Sequence, residues 1–148
     1  MHEIFSKALN EHITVGRIID EIKGSKSGPS LIFTGGIHGN EPSGVFALHR
    51  VMREIRDQKV TVSGSIHAIS GNLWALERGE RFHKQDLNRL WRGETLEKLK
   101  DGTLVKENHD IGEQMEIHSV IETILTTEEG PFYFMDLHTT SAETIPFL

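Results

Sequence analysis

The hydrophobic and polar positions switch between two periods along the chain. Residues 12–22 are rich in β-branched side chains and predict one strand, placed at a sheet edge. The stretch 24–30, Gly-Ser-Lys-Ser-Gly-Pro-Ser, reads as a turn by composition. Leu31 to Thr34 then make a short apolar run, the pattern of a buried strand, which ends on Gly35 and Gly36. From Pro42 the period changes. Val45, Leu48, Met52 and Ile55 recur at three and four residues, one apolar stripe of a helix. Pro42 suits the first helical position, and the helix is expected to end near Asp57 and Gln58. Residues 60–70 predict one or two further strands. Strand, helix, strand is a βαβ unit, which implies a mostly parallel sheet.

No clean period survives over residues 71–93, where Gly71, Asn72, Gly79 and Gly93 punctuate a loop-like stretch. Loops of that length inside a domain are usually functional or disordered. Residues 94–109 are polar and predict no definite element. Residues 110–127 predict a helix with Ile111, Met115, His118, Ile121 and Leu125 along one side, stopped by Gly130-Pro131. Phe132 to Met135 form another apolar strand, leading into Asp136-Leu-His138. The expected fold class is α/β, a mostly parallel or mixed sheet flanked by helices. The last residues, Ile145-Pro-Phe-Leu148, read as the opening of another apolar element, so a fragment of a longer protein is expected.

Composition narrows the chemistry. The chain has 148 residues, enough for one domain with a real core. With 36% hydrophobic and 26% charged residues it reads as soluble and globular. No apolar run approaches the ~20 residues that cross a bilayer, so no membrane association is expected. The first residues have no apolar core of the signal-peptide kind, and a cytoplasmic location is the expectation. The absence of Cys fits a reducing compartment and leaves only His, Asp, Glu or water as metal ligands. Net charge is −6 and no basic stripe is visible, since Arg78 to Arg92 are interleaved with Glu80, Asp86 and apolar residues. Nucleic acid is therefore not an expected partner. An acidic small substrate stays compatible, because local positive charge in a cleft can outweigh net charge.

Three separated motifs carry the candidate chemistry. Gly-Gly-Ile-His-Gly-Asn-Glu at 35–41 and Asp-Leu-His-Thr-Thr at 136–140 together supply His38, Glu41 and His138, the ligand set of an open catalytic zinc site. Taken alone, a His-x-x-Glu pair in a chain with nine His carries little weight. Here the pair falls at a strand-to-helix junction with three glycines around it, and a second His ends another strand. Ligands of open α/β sheets gather at the carboxyl ends of strands. If the two strands are parallel and adjacent, the three residues meet. Asp86 can orient one imidazole as a hydrogen-bond acceptor. In the middle motif, Asp86-Leu-Asn-Arg89, adjacent Asn88 and Arg89 can grip a carboxylate, since a guanidinium fork matches it bidentately. Arg81, in the same loop, can supply positive charge where an oxyanion develops. The remaining His are read as surface or packing residues, with His83 the least certain of them.

At these residues the sequence resembles the succinylglutamate desuccinylase/aspartoacylase family, a branch of the zinc carboxypeptidase-like fold. The matching segments are 35–42, Arg81 to Arg89, and Asp136 to Thr140, in the family's order and spacing. The resemblance implies one zinc ion per chain held by His38, Glu41 and His138. It implies Arg81 as the group polarising the scissile carbonyl, and Asn88 and Arg89 as the grip on the substrate carboxylate. The implied reaction is hydrolysis of an N-acyl amino acid, N-succinyl or N-acetyl, to an acid and a free amino acid. It also implies that residues 1–148 are the N-terminal part of a single hydrolase domain, with the general-base Glu in a later segment. Glu143, the only acidic residue after His138, has no evident claim to that role. Two other readings remain: a zinc carboxypeptidase acting on peptides, and a metal-binding domain without catalysis.

Overall fold

The computed structural model describes residues 1–139. Thr140, Glu143 and the segment 145–148 singled out above lie outside the described residues.

A four-stranded mixed sheet forms the centre. Its strands are β3 (Ile18–Lys23), β4 (Lys26–Gly35), β5 (Ser63–Ser70) and β6 (Phe132–Leu137), in the order β3-β5-β4-β6. β4 pairs parallel with both β5 and β6, and β3 pairs antiparallel with β5. The expected βαβ unit is β4, α1 (Ser43–Asp57) and β5. Helix α1 ends at Gln58 as expected, and Pro42 stands at the N-cap, one position earlier than the sequence suggested. The apolar stripe does face the sheet: Leu48 and Met52 pack with Ala68, Ile66, Phe33, Ile22 and Leu137. The opposite sheet face is covered by α4 (His109–Thr127), where Ile124, Val120 and Ile121 meet Ile32, Ile69 and Phe132. Because strand side chains alternate, β4 sends Phe33 to one helix and Ile32 to the other.

Several expectations are corrected. Residues 12–22 are not one strand. β2 (Glu11–Val15) pairs with β1 (His2–Ser6) in a separate two-stranded sheet, and the chain turns at Gly16-Arg17 before β3 enters the central sheet at its edge. The small sheet is held by its own core, Ile4 and Val15 against Val45, Phe46, Leu73 and Leu76. The turn at 24–30 shrinks to Gly24 and Ser25, since β4 already begins at Lys26. The loop 71–93 contains a helix, α2 (Leu73–Arg78), whose N-cap Asn72 accepts a hydrogen bond from the Ala75 amide, and a 3-10 turn at Leu87–Arg89. Part of the polar stretch 94–109 is α3 (Gly93–Lys100). Among the described residues β6 stands at the other edge of the sheet, with Tyr133 and Phe134 each 54% exposed.

The buried face of α4 is also rotated from the expected one. Ile111, Gln114, Ile117 and Ile124 point inward, whereas Leu125 is exposed. Gln114 tolerates burial because its side-chain N–H donates to the Leu90 carbonyl at 2.9 Å. His118, Ile121 and Leu125 instead line a cleft of about 640 Å³ between α4, Trp91 and Phe134, whose mouth holds Asn88, Thr34 and Asp136. Among the described residues, no helix is long and apolar enough to cross a membrane.

Candidate metal centre

The loop after β4 and the end of β6 lie side by side because those strands are parallel neighbours, with Gly35 opposite Leu137 in register. This meets the condition set by the sequence, and His38, Glu41 and His138 come together. One donor atom from each lies within 4.8 Å of the others. His38 Nδ1 is 3.1 Å from Glu41 Oε1, His138 Nδ1 is 3.4 Å from Glu41 Oε2, and the imidazole centroids are 5.3 Å apart. His38 is buried, Glu41 half-buried and His138 exposed, so the cluster opens to one side.

The loop 36–42 owes its path to glycine at two positions. Gly36 has φ of 76°, a left-handed conformation that favours glycine. At Gly39 a Cβ would lie 2.0 Å from the Ala75 carbonyl carbon and 2.4 Å from the Glu80 oxygen, so the loop can pass this close to α2 only without a side chain. The Gly39 amide donates to the Arg81 carbonyl at 3.2 Å, which joins this loop to the middle motif.

Both imidazoles have the same arrangement. His38 Nε2 lies 3.0 Å from Asp86 Oδ1, and His138 Nε2 lies 2.6 Å from Asp136 Oδ2. A carboxylate therefore stands at the Nε2 side of each ring, leaving each Nδ1 turned toward Glu41. Carboxylates placed this way hold an imidazole tautomer and its ring orientation for a metal. The donor set, two imidazoles and a carboxylate, suits a divalent first-row cation such as zinc. Asp86 occupies the place expected of it. Asp136 is a partner not expected from the sequence: it stands on β6, two residues before His138, which follows the strand's end. Thr34, opposite Asp136 in register, fixes it with a 2.6 Å hydrogen bond.

Electrostatics favour ionised carboxylates at the cluster. Burial works to raise the Glu41 carboxyl, but the Thr139 amide, at 3.0 Å, together with His38 and His138 outweighs it and holds the group below its ordinary range. Asp86 is likewise held low: burial opposes ionisation, and His38, the Asn88 amide and Arg81 prevail.

The arginines of the middle motif stand at the rim. Arg81 Nη1 is 3.2 Å from Glu41 Oε1 and Nη2 is 3.8 Å from Asp86 Oδ2. The Asn88 side-chain amide reaches His138 Nε2 at 3.3 Å, so it faces the cluster. Arg89 is 77% exposed, and its closest charge is Asp86, 4.0 Å from Nε. Arg81 and Asn88 thus join the cluster directly, while Arg89 meets it only through Asp86 and is otherwise largely exposed.

One residue that shapes the site gave no warning in the sequence. Asp110 is fully buried at the start of α4. Its carboxylate accepts the amides of His83, Lys84 and Gln85 at 3.0, 2.7 and 3.0 Å and the Asn72 side chain at 2.9 Å. Three successive N–H groups folded onto one carboxylate fix the strand of loop that delivers Asp86. An acidic residue in a first helical turn reads from sequence as an ordinary dipole partner.

The chain is similar to known proteins both in sequence and in fold. The family profile described as Succinylglutamate desuccinylase/Aspartoacylase catalytic domain matches residues 27–147. A succinylglutamate desuccinylase of Pseudomonas paraeruginosa is 37% identical over 67 residues, 45% of this chain and 20% of that protein. One of Photorhabdus laumondii is 27% identical over 95 residues, 64% of this chain and 29% of its own. The crystal structure of the succinylglutamate desuccinylase from Chromobacterium violaceum has a TM-score of 0.62 at 21% identity, covering 80% of this chain and 35% of that chain. The Vibrio cholerae structure of the same name has a TM-score of 0.65 at 18% identity, covering 80% and 33%. The α/β fold is shared, and the chain spans about a third of the length of these solved chains.

Proposed function

Because the chain belongs to the succinylglutamate desuccinylase/aspartoacylase family, we propose that it forms the N-terminal part of a single zinc-dependent hydrolase domain cleaving the amide of an acidic N-acyl amino acid. The observation that carries this reading is the paired orientation of the two imidazoles, each with a carboxylate at Nε2 and with Nδ1 toward Glu41. His38, Glu41 and His138 hold the metal. Zinc held there would supply a Lewis acid for the amide carbonyl and a water of lowered pKa.

The chain's own residues do the rest. Asp86 and Asp136 keep the imidazoles in the tautomer that frees Nδ1 for binding. Arg81, poised over Glu41, turns its guanidinium toward the oxygen on which negative charge develops. Asn88 and Arg89 take the substrate carboxylate at the rim. The cleft beside them has mainly apolar walls, with Lys100 the one Lys or Arg among the described residues that lines it. The carboxylates at the cluster are already engaged, Glu41 as ligand and Asp86 and Asp136 as imidazole partners. The family resemblance implies a separate proton-transferring Glu, a role these three carboxylates do not fill. A cytoplasmic location belongs to the same reading, in keeping with a chain that lacks Cys.

The direct test is an assay of the full coding sequence against N-succinyl and N-acetyl amino acids and against short peptides. Release of free amino acid from the acylated acidic substrates supports the reading. Turnover confined to peptides favours a carboxypeptidase, and no turnover in a protein that holds metal favours a non-catalytic role. Arg89→Ala is expected to raise KM for acidic substrates about tenfold to a hundredfold, the worth of one charged hydrogen bond, with kcat little changed. An equal loss with a neutral acyl amino acid would overturn the carboxylate grip.

A further inference from the structure

A second convergence of metal-ligating side chains lies toward the amino ends of β4 and β5, away from the centre at their carboxyl ends. Glu21 on β3 and His67 on β5 face each other in register. Glu128, just past the end of α4, closes over them. One donor atom from each of the three lies within 4.8 Å of the others. We propose that Glu21, His67 and Glu128 form a second binding site for a divalent first-row cation, independent of the His38 centre.

Four features point to a built site. The His67 ring is buried, its side chain only 4% exposed, with Nε2 3.1 Å from Glu128 Oε1 and Nδ1 3.6 Å from Glu21 Oε2. A carboxylate thus stands at each ring nitrogen, and a cation bound at Nε2 beside Glu128 would take Glu21 through a shift of its partly exposed side chain, giving a donor set that first-row divalent cations accept. Second, Glu128 is already oriented as a ligand. Its Oε2 is taken by the Ser30 hydroxyl at 2.9 Å and by the Ser65 hydroxyl, which leaves Oε1 presented to His67. Ser65 also lies 3.1 Å from His67 Nε2. Third, the two serines that hold Glu128 stand opposite each other in register on β4 and β5, Ser30 against Ser65, so the sheet itself fixes the place of this ligand.

The fourth feature is that a positive charge already sits there. Lys23 Nζ is 3.0 Å from Glu21 Oε1 and 3.5 Å from Glu128 Oε1. The Lys23 side chain is 64% exposed, so its ammonium can swing into water and yield the position. The three ligands and Lys23 also line one cavity of about 200 Å³ beneath α4, large enough for a cation with its remaining waters. A cation here ties the edge strand β3, the central β5 and the end of α4 together, and so braces the connection that leads into β6.

The test uses the protein with the first centre disabled. Wild type, Glu128→Gln, His38→Ala, His38→Ala/Glu128→Gln, His38→Ala/Glu21→Gln and His38→Ala/Lys23→Met are dialysed against Zn2+ or Co2+, and bound metal and melting temperature are measured. The expected result is one equivalent retained by His38→Ala, a rise in its melting temperature with metal, and loss of both in the Glu128→Gln double variant. Glu21→Gln is expected to weaken that equivalent at least about tenfold, and Lys23→Met to tighten it by removing the competing ammonium. Glu128→Gln keeps an oxygen for both serines, so it preserves the fold. As a check without substitution, Co2+ added to the wild type should shift the His67 imidazole resonances. A wild type that binds a single equivalent, abolished by His38→Ala and indifferent to Glu128→Gln, overturns the second site and leaves the first standing. An equivalent lost only with Glu128→Gln does the reverse. Failure of Co2+ to move the His67 signals also overturns the proposal.

Discussion

Replacing His38 by Ala is expected to strip metal from the first centre and to lower kcat/KM by about a thousandfold or more in the full coding sequence. The loss is large because a site with three protein ligands loses one, and several kcal/mol of charge stabilisation go with the ion. His38 is also the best-held ligand, buried and fixed by Asp86 at Nε2. Its loss cannot be made good by Glu41 or His138, which are already ligands of the same centre. Asp86→Asn should give a graded version: metal affinity weakened about tenfold to a hundredfold, with the fold retained, because the ring loses a charged partner but keeps its place. Metal content by elemental analysis and kcat/KM on one substrate check both. Unchanged metal and unchanged activity in His38→Ala would sink the ligand assignment. An Asp86→Asn protein identical to wild type would show that the carboxylates at Nε2 are incidental.

The second large effect is on stability. Asp110→Ala is expected to cost about 3 kcal/mol, which for a domain of this size is about 10 °C in Tm. The substitution removes the acceptor of four hydrogen bonds and leaves the amides of His83, Lys84 and Gln85 to find water. It also frees the segment that leads to Asp86, so metal affinity should fall alongside. The pH dependence has a definite sign. Burial raises the Asp110 carboxyl, but the three amides and Asn72 outweigh it, so its folded value lies below the ordinary 3.8. A group with a depressed folded pKa contributes its full stability above its unfolded value and loses it as pH falls through the folded one. The gap between wild type and Asp110→Ala should therefore be widest at neutral pH and begin to close below about 3.8, as urea unfolding at neutral and acid pH would reveal. A difference under about 1 kcal/mol at neutral pH would show that the loop does not depend on this carboxylate.

Much of the central architecture could be read directly. The run Leu31 to Thr34, the stripe Val45, Leu48, Met52, Ile55 and the following strand gave a βαβ unit because each element carries its own period and buries one simple face. The error over 12–22 has a plain cause. Nothing in a β-branched stretch says that Gly16 and Arg17 divide it between two sheets. Arg17 does so by donating to the Ser70 and Gly71 carbonyls and pairing with Glu113, partners more than fifty residues away. Helix α4 follows its predicted span, but Gln114 interrupts the buried series Ile111, Ile117, Ile124, so the apolar stripe read through Met115 and Ile121 runs on to Leu125, which is exposed. Helix α2 is only six residues long and is stabilised by its Asn72 cap and by packing on β1 and β2, which no local period records.

The sequence by itself determined the candidate ligand set and the family, because donor chemistry belongs to residue type and the three motifs carry it in order. It also determined that Asp86 could serve an imidazole, and that His38 and His138 would each follow a strand. Only the tertiary structure decided that those two strands are parallel neighbours, that Asp136 and Asp86 both take Nε2, and that Asp110 shapes the loop between them. The physical reason is one of range. Periodicity and motif report on residues close in the chain, whereas hydrogen bonds between residues 27 or 48 positions apart form only once the sheet has set its register.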